Sequence, residues 1–146
     1  VRNKQFYTYI NKGIFNSGII LNFHNTTEDA PIRLVGGGLD NYGRVEIYHN
    51  GRWATVCDDH WTMNEANVVC RQLSYPGARQ ALRSAAYGEG SGPIWMDDVR
   101  CQGREAFLSH CRSNDWENYN CNNREDASVK CIALSPPLPL PPPPLP

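Results

Sequence analysis

Trp53-Ala54-Thr55-Val56-Cys57-Asp58-Asp59-His60-Trp61-Thr62-Met63-Asn64-Glu65-Ala66-Asn67-Val68-Val69-Cys70-Arg71-Gln72-Leu73 is the stretch that decides the fold. Its first four residues have the aromatic and β-branched make-up of a strand. Thr62 followed three positions later by Glu65 is a capping box, which opens a helix. Ala66, Val69, Cys70 and Leu73 then fall at i, i+3, i+4 and i+7, one apolar stripe. Cys70 lies on that stripe, so a disulfide there pins the helix from its buried side. Tyr75-Pro76-Gly77 ends the helix, because proline has no amide to continue it.

Upstream, Asn50-Gly51 supplies the two positive φ angles of a type I′ turn. Its flanks, Arg44-Val45-Glu46-Ile47-Tyr48 and Trp53–Val56, are the arms of a hairpin. Ile32-Arg33-Leu34-Val35 also alternates, and Gly36-Gly37-Gly38 ends it. Downstream, a second, shorter helical turn is expected from Glu105 to His110. Ile94-Trp95-Met96, Val99, Val129 and Ile132 are read as short strands. The sum is α+β, a small sheet packed on one main helix.

The chain has six cysteines, Cys57, Cys70, Cys101, Cys111, Cys121 and Cys131, all in one block. The closest pairs have nine residues between them, whereas zinc sites use pairs two to four apart. The block is therefore read as three disulfides, whose pairing spacing alone leaves open among fifteen connectivities. Such bridges persist in oxidising compartments, which makes the protein extracellular, secreted or an ectodomain.

A length of 146 residues suits one domain. The net charge of −1 carries no general attraction for nucleic acid or acidic membranes. Of fourteen basic residues eleven are Arg, whose planar fork suits carboxylates, sulfates and phosphates. No apolar run of eighteen residues exists, so no segment of the sequence is read as spanning a bilayer. An exported chain that opens at Val1 without a leader is expected to be a fragment or processed product. Residues 1–30 form an N-terminal extension with a weak strand pattern at Gly18–Phe23 and a glycosylation sequon at Asn25-Thr26-Thr27. Residues 31–133 form the cysteine-bearing domain. Residues 134–146 form a proline-rich tail with eight prolines after Leu134, a stiff polyproline II spacer.

Six ordered segments resemble a known family: Ile32–Gly37, Gly43–Ile47, Trp53–Trp61, Val68–Leu73, Gly90-Ser91-Gly92-Pro93-Ile94-Trp95-Met96-Asp97-Asp98-Val99-Arg100-Cys101-Gln102-Gly103, and Glu125-Asp126-Ala127-Ser128-Val129-Lys130-Cys131. The family is the scavenger receptor cysteine-rich domain. The positions near Asn41 and Tyr75, where one subgroup carries an extra cysteine pair, hold none, so the resemblance is to the six-cysteine group A. It implies bridges Cys57–Cys121, Cys70–Cys131 and Cys101–Cys111, and a small curved antiparallel sheet cradling the helix.

The resemblance also implies function. Asp58, Asp59 and Glu125 match a cation site of the family, and clustered carboxylates in an extracellular module suit weakly bound Ca²⁺. A second family site needs an Asp where this chain has Thr62, so that site is not carried over. Asp97-Asp98 is read as a turn pair. The hairpin with Arg44, Glu46 and Arg52 resembles a stretch that binds bacterial ligands, and Arg79, Arg83, Arg100 and Arg104 are possible neighbours. The expected role is an extracellular ligand-binding module with polyanionic or protein partners, in innate immunity or scavenging, within a larger multidomain or oligomeric receptor. Two alternatives are an accessory domain of a larger extracellular protease or lysyl oxidase-like enzyme, and a structural adhesion module. The chain itself is not expected to be an enzyme: Gly90-Ser91-Gly92-Pro93 lacks the Asp before the Ser of trypsin-like proteases, and Gly88–Gly92 does not fit the esterase elbow.

Each disulfide typically contributes ~2–4 kcal/mol, so three rival the whole stability of an ordinary domain, ~5–15 kcal/mol. Reduction in a non-denaturing buffer at 37 °C is therefore expected to unfold the protein, seen as loss of near-ultraviolet circular dichroism. A reduced chain that keeps that signal would contradict this.

Overall fold

A computed structural model describes residues 28–136 and 138–146; the strand expected at Gly18–Phe23 and the sequon at Asn25 lie outside them. Six strands, β1 (Ile32–Gly36), β2 (Tyr42–His49), β3 (Arg52–Val56), β4 (Ala78–Leu82), β5 (Ile94–Met96) and β6 (Ser128–Cys131), form one sheet around helix α1 (Met63–Gln72). Strand β2 is its spine. One edge of β2 pairs with β1, Ile32 opposite Ile47 through Gly36 opposite Gly43. Its other edge is divided, Glu46–His49 pairing with β3 and Tyr42–Arg44 with β6. Strands β4 and β5 extend the sheet from β6 and β3.

The hairpin turn is where the sequence places it, with φ of +48° at Asn50 and +81° at Gly51. Alternation then sorts the residues of β2 and β3. Val45, Ile47, Ala54 and Val56 are buried in the core, whereas Arg44, Glu46, Tyr48 and Trp53 lie on the opposite face. The expected all-antiparallel sheet needs one correction: β3 and β5 run parallel, Thr55 opposite Ile94 and Val56 opposite Met96. The helix and the crossover after β3 bring the chain back in the same direction, and parallel neighbours need such a long connection.

Helix α1 carries the expected capping box, and Ala66, Val68, Val69 and Cys70 are buried. Glu65 does more than cap. Its Oε1 accepts from the Thr62 amide at 2.8 Å, and its Oε2 accepts from the Cys101 amide at 2.6 Å. A carboxylate that is only 2 % exposed thus ties the helix start to the third disulfide. The helix ends at Leu73, ahead of Ser74, whose φ is +71°. The bridges join Cys57 to Cys121, Cys70 to Cys131 and Cys101 to Cys111, and the second fastens α1 to β6.

Three local expectations change, and one strand was not expected. Ala78–Leu82 is an edge strand without an apolar pattern to announce it. Val99 is buried outside any strand, and Ile132 lies one residue beyond β6. The helical turn is shorter than Glu105–His110, a 3₁₀ turn at Leu108–His110. The cause is Glu105, whose carboxylate accepts from the amides of Gln102, Gly103 and Arg104 and so closes a tight loop of its own. Beyond β6 the described residues form no helix or strand, and Leu138, Leu140 and Leu145 are exposed.

Glu65→Ala is expected to cost about 2–4 kcal/mol, a lost cap plus an orphaned buried amide at Cys101. Glu65→Gln keeps one acceptor oxygen and loses less. Urea unfolding of the oxidised proteins measures both, and equal losses would contradict the double role.

Candidate functional site

Past β3 two backbone segments run side by side. Cys57 forms a bridge with Asp126, and the Asp58 amide donates to the Glu125 carbonyl at 2.8 Å. The Cys57–Cys121 disulfide, with Cα atoms 6.2 Å apart, closes the same corner from the other side. Acidic residues distant in sequence therefore meet, but not as the expected trio. The Asp58 carboxylate turns inward, where Oδ2 accepts from the Ser84 amide at 2.7 Å, and the residue is 8 % exposed. Asp59 and Glu125 come together beside the disulfide, with ligand atoms of Cys57, Asp59, Cys121 and Glu125 all within 4.8 Å of one another. Asp59 also meets Asp97 and Asp98 within the same limit.

Asp97 and Asp98 do form a turn, as read from sequence. The Asp97 carboxylate accepts from the amides of Asp98 at 2.7 Å and Asn120 at 3.1 Å, and Asp98 has φ +53°. The turn nonetheless delivers both carboxylates to Asp59. Oxygens of Asp59 and Asp97 approach Cys121 Sγ to 3.3 and 3.4 Å. That sulfur belongs to the disulfide and carries no hydrogen, so these are contacts and not hydrogen bonds. Burial, followed by the charges of Asp97, Asp98 and Asp58, pushes the Asp59 carboxyl above the ordinary carboxylate range, and His60 offsets this in part. The site is a set of carboxylates held closer than their charges favour, the setting in which a hard cation finds oxygen ligands.

The hairpin residues divide in the same way. Arg44 is spent internally: Nε and Nη2 donate to Glu46 Oε2 at 3.1 and 3.0 Å, and Nη1 to the carbonyls of Tyr87 and Gly88. Glu46, 7 % exposed, also accepts from Arg33 at 2.9 and 2.6 Å. Arg44 and Glu46 thus form an interior ion pair, while Arg52 stays exposed with its guanidinium over Gly92. Arg33, which the sequence reading passed over, has a 47 % exposed side chain and lies over the Trp53 ring at 4.4 Å. Its signal was its place on the outward side of an alternating strand.

The Gly90-Ser91-Gly92 segment is held down by Asp126. That carboxylate is wholly buried and accepts from the Gly90 amide at 2.7 Å and from Asn123 at 3.2 Å. Burial raises its proton affinity against the lowering effect of those donors, Thr55 and Arg44. A Cβ at Gly90 would come within 2.4 Å of Thr55 Cγ2, so glycine is required there for close packing.

The family model of the scavenger receptor cysteine-rich domain matches residues 35–132. The third such domain of murine neurotrypsin is similar, with 49% identity over 73% of this chain and 99% of that one and a TM-score of 0.66. The domain of mouse MARCO, solved in a dimeric form, is 50% identical over 63% of this chain and 87% of its own, with a TM-score of 0.59. These matches place the chain among disulfide-bonded extracellular modules that bind ligands. The chain belongs to the scavenger receptor cysteine-rich domain family.

Proposed function

We propose that this domain recognises anionic ligands with the help of a divalent cation, Ca²⁺ being the ion its all-carboxylate donor set suits best. The observation that carries the reading is the position of Asp59, shared between Glu125 on one side and Asp97 and Asp98 on the other. A cation there cancels the mutual repulsion and keeps coordination positions for oxygens of a ligand. Exposed arginines near the sheet, Arg52 and Arg33 foremost, add charge-assisted hydrogen bonds to sulfate, phosphate or carboxylate groups. Arg44 and Glu46 serve this surface indirectly, by fixing Arg33. The action is binding without turnover, and the chain is read as one module of an extracellular receptor that presents several copies.

Two neighbours bear on the last point: one relative is the third domain of its kind in its protein, and another is described as a dimer. Several weak sites on one assembly multiply affinity through effective concentration. Among the described residues no helix is long and apolar enough to cross a membrane.

Calorimetric titration is expected to give Ca²⁺ binding on the order of 10⁻⁴–10⁻³ M. Asp59→Asn abolishes it. Asp58→Asn leaves the site and instead loosens the segment around Ser84, which lowers the melting temperature. Reversal of these two effects, or unchanged Ca²⁺ binding in Asp59→Asn, refutes the assignment.

Acidity provides a second check. The folded-state affinity of Asp59 for a proton is raised, so its ionisation destabilises the cation-free fold as pH rises from the ordinary carboxylate value through the raised one. That cost is absent below both values. In chelator at pH 7, Asp59→Asn is expected to melt above the wild type, with the gap closing as pH falls below the ordinary carboxylate range. A variant no more stable than wild type at pH 7 counts against the crowded-carboxylate account.

A further inference from the structure

Arg100 and Arg112 immediately flank the Cys101–Cys111 disulfide, whose Cα atoms lie 4.7 Å apart. Their backbones exchange two hydrogen bonds, Arg100 amide to Arg112 carbonyl at 2.7 Å and the reverse at 3.2 Å. Residues so paired stand directly opposite, with Cα atoms ~5.5 Å apart and side chains on one face. Both are exposed. Like charges held in this position repel, and among the described residues neither guanidinium forms an ion pair with a carboxylate. Arg100 Nη2 lies 2.7 Å from His60 Nε2, which in turn is 3.3 Å from Asp98 Oδ1. Arg112 donates no side-chain hydrogen bond to any described residue.

We propose that Arg100 and Arg112 form a fork for a tetrahedral oxyanion, the sulfate monoester or phosphodiester of an anionic polymer. The argument is one of geometry and charge. A guanidinium presents its donors in a planar fork that matches two oxygens at once. Two such forks rooted ~5.5 Å apart converge on opposite oxygens of one tetrahedral group. The covalent bridge holds the two arginines together whatever their repulsion, so the cost of assembling the pair falls on folding and not on binding. His60, accepting from Arg100, limits that side chain to one direction.

The fork borders the carboxylates of Asp97 and Asp98, three and two positions before Arg100 in the chain. An anion bound to it sits in their field, and a cation among those carboxylates removes the repulsion. Cation and oxyanion are therefore expected to bind together more tightly than either alone. This assignment rests on the reading of the domain as a binder of anionic ligands, which it narrows to one ester group and two residues.

The test uses the full oxidised chain and two immobilised probes, a heparin-derived sulfated dodecasaccharide and a polyribitol phosphate, in 2 mM Ca²⁺. Arg112→Gln and Arg100→Gln are each expected to weaken capture about tenfold, as suits loss of one set of charge-assisted bonds. Arg112→Lys keeps the charge but not the fork, and falls between. Arg79→Gln, exposed on the edge strand β4, stays within twofold of wild type. Near-ultraviolet circular dichroism checks the fold of each variant, and Arg112, whose side chain bonds to no described residue, is the decisive one. The probe whose capture Arg112→Gln weakens identifies sulfate or phosphate as the group. Wild-type capture that is indifferent to Arg100 and Arg112, or lost only with Arg52 and Arg33, overturns the fork and leaves the anionic-ligand reading standing. Failure of the wild type to hold either probe overturns both.

Discussion

The corner closed by Cys57 and Cys121 is the constraint on which the functional surface depends. These residues are 64 positions apart, and no strand ladder or helix joins their segments beyond the single bridge from Cys57 to Asp126. Closing that corner places Glu125 against the end of β3, sets Asp59 beside Asp97, and buries Asp126 beneath the Gly90 loop. Four carboxylates in so small a volume repel one another, and hydrogen bonding to backbone amides compensates only some of them. Asp58 and Asp97 are satisfied by amide donors. Asp59 is not, and burial together with the neighbouring charges makes it hold its proton more tightly. Amides satisfy the structural carboxylates and leave the remainder to an external partner.

The same division runs through the positive charges. Arg44 and Arg83 are consumed by Glu46 and by the Trp61 carbonyl, so they hold loops and do not meet ligands. Arg52, Arg100 and Arg112 stay exposed, and Arg33, half exposed, is held by Glu46. A net charge of −1 hides this arrangement. Basic and acidic groups lie in neighbouring patches, which suits a ligand carrying alternating demands better than uniform attraction would.

How much of this was legible in the sequence follows from the range of the forces involved. The helix start, the stripe on α1 and the Asn50-Gly51 turn are set by neighbours within a few residues, and all three were readable. The two-residue period of β2 and β3 also fixed which side chains face the core. What could not be read was long-range. Asp58 and Asp59 look equivalent until Ser84, 26 positions on, claims one of them. Arg44 looks like a ligand-binding arginine until the Tyr87–Gly88 segment folds over it. Strand β4 owes its existence to pairing with β6 and has almost no periodicity of its own. The parallel join of β3 to β5 depends on the path of the intervening chain, which local pattern does not encode. The likeness to the family was recognisable from motif order and implied the disulfide pairing, but the division of labour among the carboxylates was not readable.

Loop lengths also order events in time. The Cys101–Cys111 pair is separated by ten residues, the other two by 64 and 61. Bringing the ends of the longest loop together costs about 1.6 kcal/mol more chain entropy than closing the shortest. During oxidation the small ring therefore forms ahead of the large ones, before the sheet is complete. The two arginines that flank it are set face to face early in maturation, whereas the carboxylate corner waits on the closure of a long loop.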